Sequence, residues 1–121
     1  MGERTALPAP PAAELDASPE WEVALASYAR ELATRGSSAA TLRAYGRDLR
    51  ELAAWATERG IAPGGLAYRD LRAYAAVLSE RRLAKATVSR KLAAVRGLHA
   101  HLVATGVAAS NPAARWSRVV G

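Results

Sequence analysis

Arg43, Arg47 and Arg50 are spaced by four and three residues, so on a helix all three project from one face. A second set, Lys85, Ser89 and Arg96, shares one side of a later helical stretch, with Arg90 on its far side. Rows of guanidinium and ammonium groups donate hydrogen bonds to anionic oxygens and, in forked pairs, to the edges of nucleic-acid bases. Thr41, Thr87 and Ser89 add short polar groups near the N-termini of the same two helices, where free backbone amides hold phosphate. The plain alternative for each row is a solvated helix face.

The charge is unevenly placed. Residues 81–121 carry eight Lys/Arg and no acid, whereas residues 1–80 carry nine Lys/Arg against eleven Asp/Glu. A basic C-terminal third on a nearly neutral body fits a polyanion-binding face.

The elements that must position these groups read as helices. Half of the 121 residues are apolar, mostly alanine and leucine, with no Phe and no Cys. Ala and Leu are strong helix formers, little of the chain alternates with period two, and the length fits one small all-helical domain. Residues 1–17, with Pro8, Pro10 and Pro11 among alanines, are expected to be a disordered leader. Ser18-Pro19-Glu20 opens the first helix, Trp21, Ala24, Leu25, Tyr28 and Leu32 form its apolar stripe, and Gly36 ends it.

A second helix spans about Ala39 to Arg59, with Leu42, Tyr45, Leu49, Leu52, Ala53 and Ala56 on one face and the three arginines on another; Asp48 and Glu51 fall outside the arginine stripe. Gly46 sits inside it at a cost of about 1 kcal/mol relative to Ala, explained either by the close approach of another backbone or by tolerated drift. Gly60 to Gly65 is a breaker-rich loop that lacks the Gly-Lys-Ser/Thr ending of a phosphate-binding loop. Leu66 is expected to plug the core.

A third helix, about Tyr68 to Arg81, turns Leu71, Tyr74, Ala75 and Leu78 inward, and Arg81-Arg82 suit its negative C-terminal end. The fourth begins at Lys85, with Val88, Leu92, Val95, His99 and Leu102 as its core stripe, and ends at Gly106. Asn111-Pro112 is expected to open a short helix or turn through about Trp116.

Little catalytic chemistry is legible. His99 and His101 are two apart, which points them to different faces and does not suit a shared metal site. The serines have no His and carboxylate at a recognisable spacing. Without cysteine there is no disulfide or thiolate nucleophile. No apolar run approaches the roughly 18 residues that span a bilayer, and no secretory signal is visible. No enzyme, metal site, cofactor or small-molecule substrate is expected within these residues, and the setting expected is cytoplasmic.

Taken in order, these blocks resemble a known family. Ser38-Ala-Ala-Thr-Leu-Arg-Ala-Tyr-Gly-Arg-Asp-Leu49 resembles a signature of the N-terminal core-binding domain of tyrosine recombinases and phage integrases, and Thr87-Val-Ser-Arg-Lys-Leu-Ala-Ala-Val-Arg96 is similar to its second signature. Asp70-Leu-Arg-Ala-Tyr74 and Asn111-Pro-Ala113 fall where that family has matching blocks, so the likeness covers roughly Trp21 to Ala114 and is nearest to the Xer recombinases of bacteria, which resolve chromosome dimers.

The resemblance implies an all-α, four-to-five helix, SAM-like orthogonal bundle over residues 18–116, with residues 117–121 a tail or linker. It implies that the second and fourth helices lie across the major groove of a recombination half-site, which points to Thr41, Arg43, Ala44, Arg47 and Arg50 and to Lys85, Thr87, Ser89 and Arg90; the basic-face reading adds Arg96. As members of that reading face, Thr41 and Ala44 rest on the resemblance alone. Double-stranded DNA and neighbouring recombinase protomers are the implied partners, and no membrane. The family's catalytic domain, with its Arg, Lys, His and nucleophilic Tyr, has no counterpart in these residues: the tyrosines, Tyr28, Tyr45, Tyr68 and Tyr74, lie in the bundle. The rival reading is a helical interaction or oligomerisation module that does not bind DNA. For the DNA reading, the arginines of two neighbouring helices are expected to face outward on one side, untied by carboxylates of their own chain.

Overall fold

The computed structural model describes residues 16–108, and every regular element among them is helical. The expected leader up to residue 15, the Asn111-Pro112 turn and the tail from 117 lie outside the described residues.

Helix α1, Pro19–Thr34, starts where Ser18 accepts a hydrogen bond from the Trp21 amide (3.3 Å), with Pro19 in the first turn and Glu20 and Glu22 at the positive end of the dipole. It buries Trp21, Ala24, Tyr28 and Leu32. It stops at Gly36, which adopts φ +84°. The amides of Gly36 and Ser37 then turn back to the carbonyls of Ala33 and Leu32, both at 3.0 Å, closing the helix end in the way a glycine permits.

The same closure follows α2, Ala39–Glu58, at Gly60, and follows α4, Lys85–Ala104, at Gly106. After α3, Tyr68–Glu80, the left-handed residue is Arg82, at φ 56°. Ser38 caps α2 by accepting from the Thr41 amide (3.1 Å), and Asp70 accepts from the Ala67 amide (2.8 Å) at the start of α3. The breaker-rich loop holds a single 3-10 turn, Pro63–Gly65, and Leu66 behind it is buried as expected.

Helix α4 packs against α1, α2 and α3, while α1 also packs on α2. That central position explains a departure in the buried faces. The stripe read from sequence is Val88, Leu92, Val95, His99 and Leu102; Val88 is only half-buried, and the buried arc beyond it is wider, adding Lys91, Ala94, Leu98 and His101. A helix touched on three sides needs more than one stripe. Trp21, Leu52, Leu71, Leu78, Leu98 and Leu102 are its fully enclosed centre, each leucine contributing about 2 kcal/mol through burial. The Trp21 indole N–H donates to the Ile61 carbonyl at 2.8 Å, pinning α1 to the loop after α2.

Candidate nucleic-acid interface

Helix α2 turns Arg43 and Arg47 into solvent. No ion pair holds either of them among the described residues. Arg50, the third of the row, donates from Nη1 to Glu22 Oε2 of α1 at 3.0 Å. Both side chains of that pair are partly exposed, so it contributes little and opens easily. Thr41 is engaged at the helix start, its hydroxyl oxygen accepting from Ser38 at 3.0 Å. Ala44 is half-buried.

At the seam with α4 the arrangement is tighter. Arg90 forks onto Asp48, Nε to Oδ2 at 2.8 Å and Nη2 to Oδ1 at 3.1 Å. Lys91 donates to Asp48 Oδ1 at 2.9 Å and to Glu51 Oε1 at 2.8 Å, and Arg81 reaches Glu51 at 3.4 Å. Burial alone would raise the Asp48 carboxyl, but the hydrogen bonds from Arg90 and Lys91 outweigh it and hold the group below its ordinary range. Thr87, four residues before Lys91 and half-buried, lies on this same side of α4.

The remaining residues face elsewhere. Lys85, Ser89 and Arg96 line a groove of about 950 Å³ between α3 and α4, over a floor that includes Leu78, Leu83 and Val88. The two sides of α4 therefore carry different parts of the expected set: Thr87 and Arg90 beside α2, Lys85, Ser89 and Arg96 beside α3. The expectation of arginines untied by their own chain needs correcting. It holds for Arg43 and Arg47 and fails for Arg50 and Arg90, because Glu22 and Asp48 sit on the helices that pack against them.

A second correction concerns serine, histidine and carboxylate. Three such groups do meet: Ser27 Oγ lies 2.7 Å from His101 Nε2, and His101 Nδ1 lies 2.7 Å from Glu31 Oε1. A neutral imidazole donating to Glu31 accepts the Ser27 hydroxyl, the order found in serine nucleophiles. Hydrogen bonds from His101 and Arg35 hold the Glu31 carboxyl below its ordinary range. Ser27 lies mid-helix, however, where backbone amides are consumed by the helix itself, so no pair of amides converges there to hold an oxyanion. What the trio does visibly is tie α1 to α4. His101 is also 5.5 Å, centroid to centroid, from the Tyr28 ring. Among the described residues no three His, Asp or Glu side chains could hold a metal ion, and no helix is long and apolar enough to cross a membrane.

Sequence reasoning missed Asp48, Glu51 and Lys91 as a unit. The signal was an acidic pair three apart on the edge of α2 opposite a basic pair in a stretch with no acid.

With this geometry in place, comparison with known proteins decides the family. Residues 25–106 match the family described as phage integrase, N-terminal SAM-like domain. The chain belongs to that family. Over 81 residues this SAM-like domain is 41% identical to the tyrosine recombinase XerC of Xylella fastidiosa (strain 9a5c), covering 66% of this chain and 28% of the relative. It is 38% identical over 80 residues to the XerC proteins of Mycobacterium bovis (strain BCG / Pasteur 1173P2) and Mycobacterium tuberculosis (strain ATCC 25177 / H37Ra), covering 66% of this chain and 27% of each relative. The chain thus spans just over a quarter of the length of these curated relatives. No solved structure matches it.

Proposed function

We propose that this helical bundle binds double-stranded DNA as the N-terminal module of an Xer-like, site-specific tyrosine recombinase. It places a recombination half-site for strand cleavage carried out by residues outside this chain, alongside neighbouring protomers, in the resolution of chromosome dimers in the cytoplasm. The observation that carries the reading is the outward pair Arg43 and Arg47 on α2, unpaired among the described residues and on the helix that meets α4 at the seam where Arg90 is partly exposed. Two exposed guanidinium groups on one helix face attract phosphate without first breaking an internal bond. Family membership and relatives named as tyrosine recombinases support the same reading.

The test is a titration of short duplex DNA at several salt concentrations. Affinity should fall steeply with salt, and Arg43→Ala and Arg47→Ala should each lower the slope by about one unit per lost phosphate contact. Slopes unchanged in both variants would place the face elsewhere. One observation favours the interaction-module alternative: the groove between α3 and α4, with its partly apolar floor. A bundle of that kind would show no salt-sensitive DNA binding at all.

A further inference from the structure

We infer that Arg90 reads a guanine base, and that Asp48 is the positioning residue that aims it. The inference rests on the DNA-binding reading above and goes further by separating one arginine from the others.

A guanidinium has five N–H groups on a rigid plane. Asp48 engages the side-on edge, taking the Nε and Nη2 donors at 2.8 and 3.1 Å. Among the described residues Asp48 is the group that Arg90 bonds, which leaves the end-on edge free, one N–H from Nη1 and one from Nη2, lying parallel. That fork matches the O6 and N7 acceptors that guanine presents in the major groove. The Arg90 side chain is 39% exposed, so part of it meets solvent.

The carboxylate behind it does not swing. Asp48 is 2% exposed and also holds Lys91, itself 5% exposed and anchored at 2.8 Å on Glu51. Arg90 is therefore oriented before any ligand arrives, which removes part of the ordering cost of binding.

Charge separates this role from phosphate binding. With Arg81, which reaches Glu51, three positive charges meet the two negative ones of Asp48 and Glu51, so the cluster keeps one net positive charge. The Arg90 charge itself is offset by the Asp48 carboxylate it forks onto, which weakens its pull on a phosphate, yet its directed donors remain. Arg43 and Arg47 are the reverse: full charges on unconstrained side chains, suited to phosphates, which accept from many directions.

The experiment selects duplexes from a randomised pool with the 121-residue chain, then measures affinity for the selected site against random duplex. The inference expects a required guanine whose replacement by 7-deazaguanine, which lacks the N7 acceptor, weakens the unsubstituted chain about tenfold and leaves Arg90→Ala unaffected. Asp48→Asn and Arg90→Lys should each lower the ratio of site to random affinity by about tenfold, with circular dichroism confirming the fold. Lysine keeps the charge but lacks the fork, so it remains decisive if the Asp48 variant unfolds. Selection without a required guanine, or Arg90 variants that keep the full ratio, overturns the inference. A salt slope lowered by one unit in Arg90→Ala with the ratio intact would make Arg90 a phosphate contact and also overturn it. Absence of any salt-sensitive binding by the unsubstituted chain would instead sink the DNA-binding reading beneath it.

Discussion

The hydroxyl of Tyr28 occupies the space that a β-carbon on residue 97 would fill, so α1 and α4 approach each other across Gly97. Tyr28 is 3% exposed and has little room to retreat. Gly97→Ala should therefore destabilise the bundle by about 1–3 kcal/mol through overpacking, although alanine is the better helix former. Adding Tyr28→Phe removes the obstructing oxygen and should recover much of the loss. A double-mutant cycle from denaturant unfolding checks this, and additive effects would show that the two residues do not meet.

His99 is fully buried, and among the described residues neither ring nitrogen has a hydrogen-bond partner. Burial lowers its pKa to about 4. The unfolded chain, with an ordinary value near 6.5, binds the proton first. Stability should therefore be greatest above about pH 6.5 and fall as pH drops toward 4, by on the order of 3 kcal/mol across the window. The carboxyls of Asp48 and Glu31, both held low, begin to lose their contributions at the acid edge of this window, where free carboxylates take up protons, and lose the rest at more acid pH. Denaturant midpoints at pH 7 and pH 4.5 should differ much less in His99→Leu, and parallel behaviour of the two chains would refute the account.

Lys91 is a buried cation shared between Asp48 and Glu51. Lys91→Met leaves the Asp48 carboxylate enclosed with only Arg90, and should cost about 2–4 kcal/mol. Replacing both ends, Asp48→Leu with Lys91→Met, should cost less than the sum of the single changes, because the desolvation penalty of both ions disappears together. Thermal unfolding of the four chains measures the coupling.

Gly46 is an interior helix residue, and a β-carbon built on it meets nothing within 4 Å. Among the described residues, then, no neighbouring backbone explains it. Gly46→Ala should raise stability by roughly 0.5–1 kcal/mol, read as a melting temperature a few degrees higher. If DNA affinity falls in the same variant, the close approach is made by the ligand and not by the protein.

The sequence by itself determined the helices and their ends. Serine caps, the glycines after α1, α2 and α4, and the 3.6-residue spacing of leucine and alanine are local signals, and local hydrogen bonds and burial obey them. It also determined where positive charge gathers, because charge is a property of composition, and the four blocks in order carried the likeness to the family. Only the tertiary structure decided what each charged group does. Asp48 and Arg90 are 42 positions apart, and Ser27 and His101 are 74 apart; no periodicity within one helix reports such meetings. The packing of α4 against three neighbours set Arg90 on a carboxylate, left Arg43 and Arg47 in solvent, and turned Lys85 and Arg96 toward a different groove. A pairing energy depends on distance and burial, and those quantities exist only once the helices have been brought together.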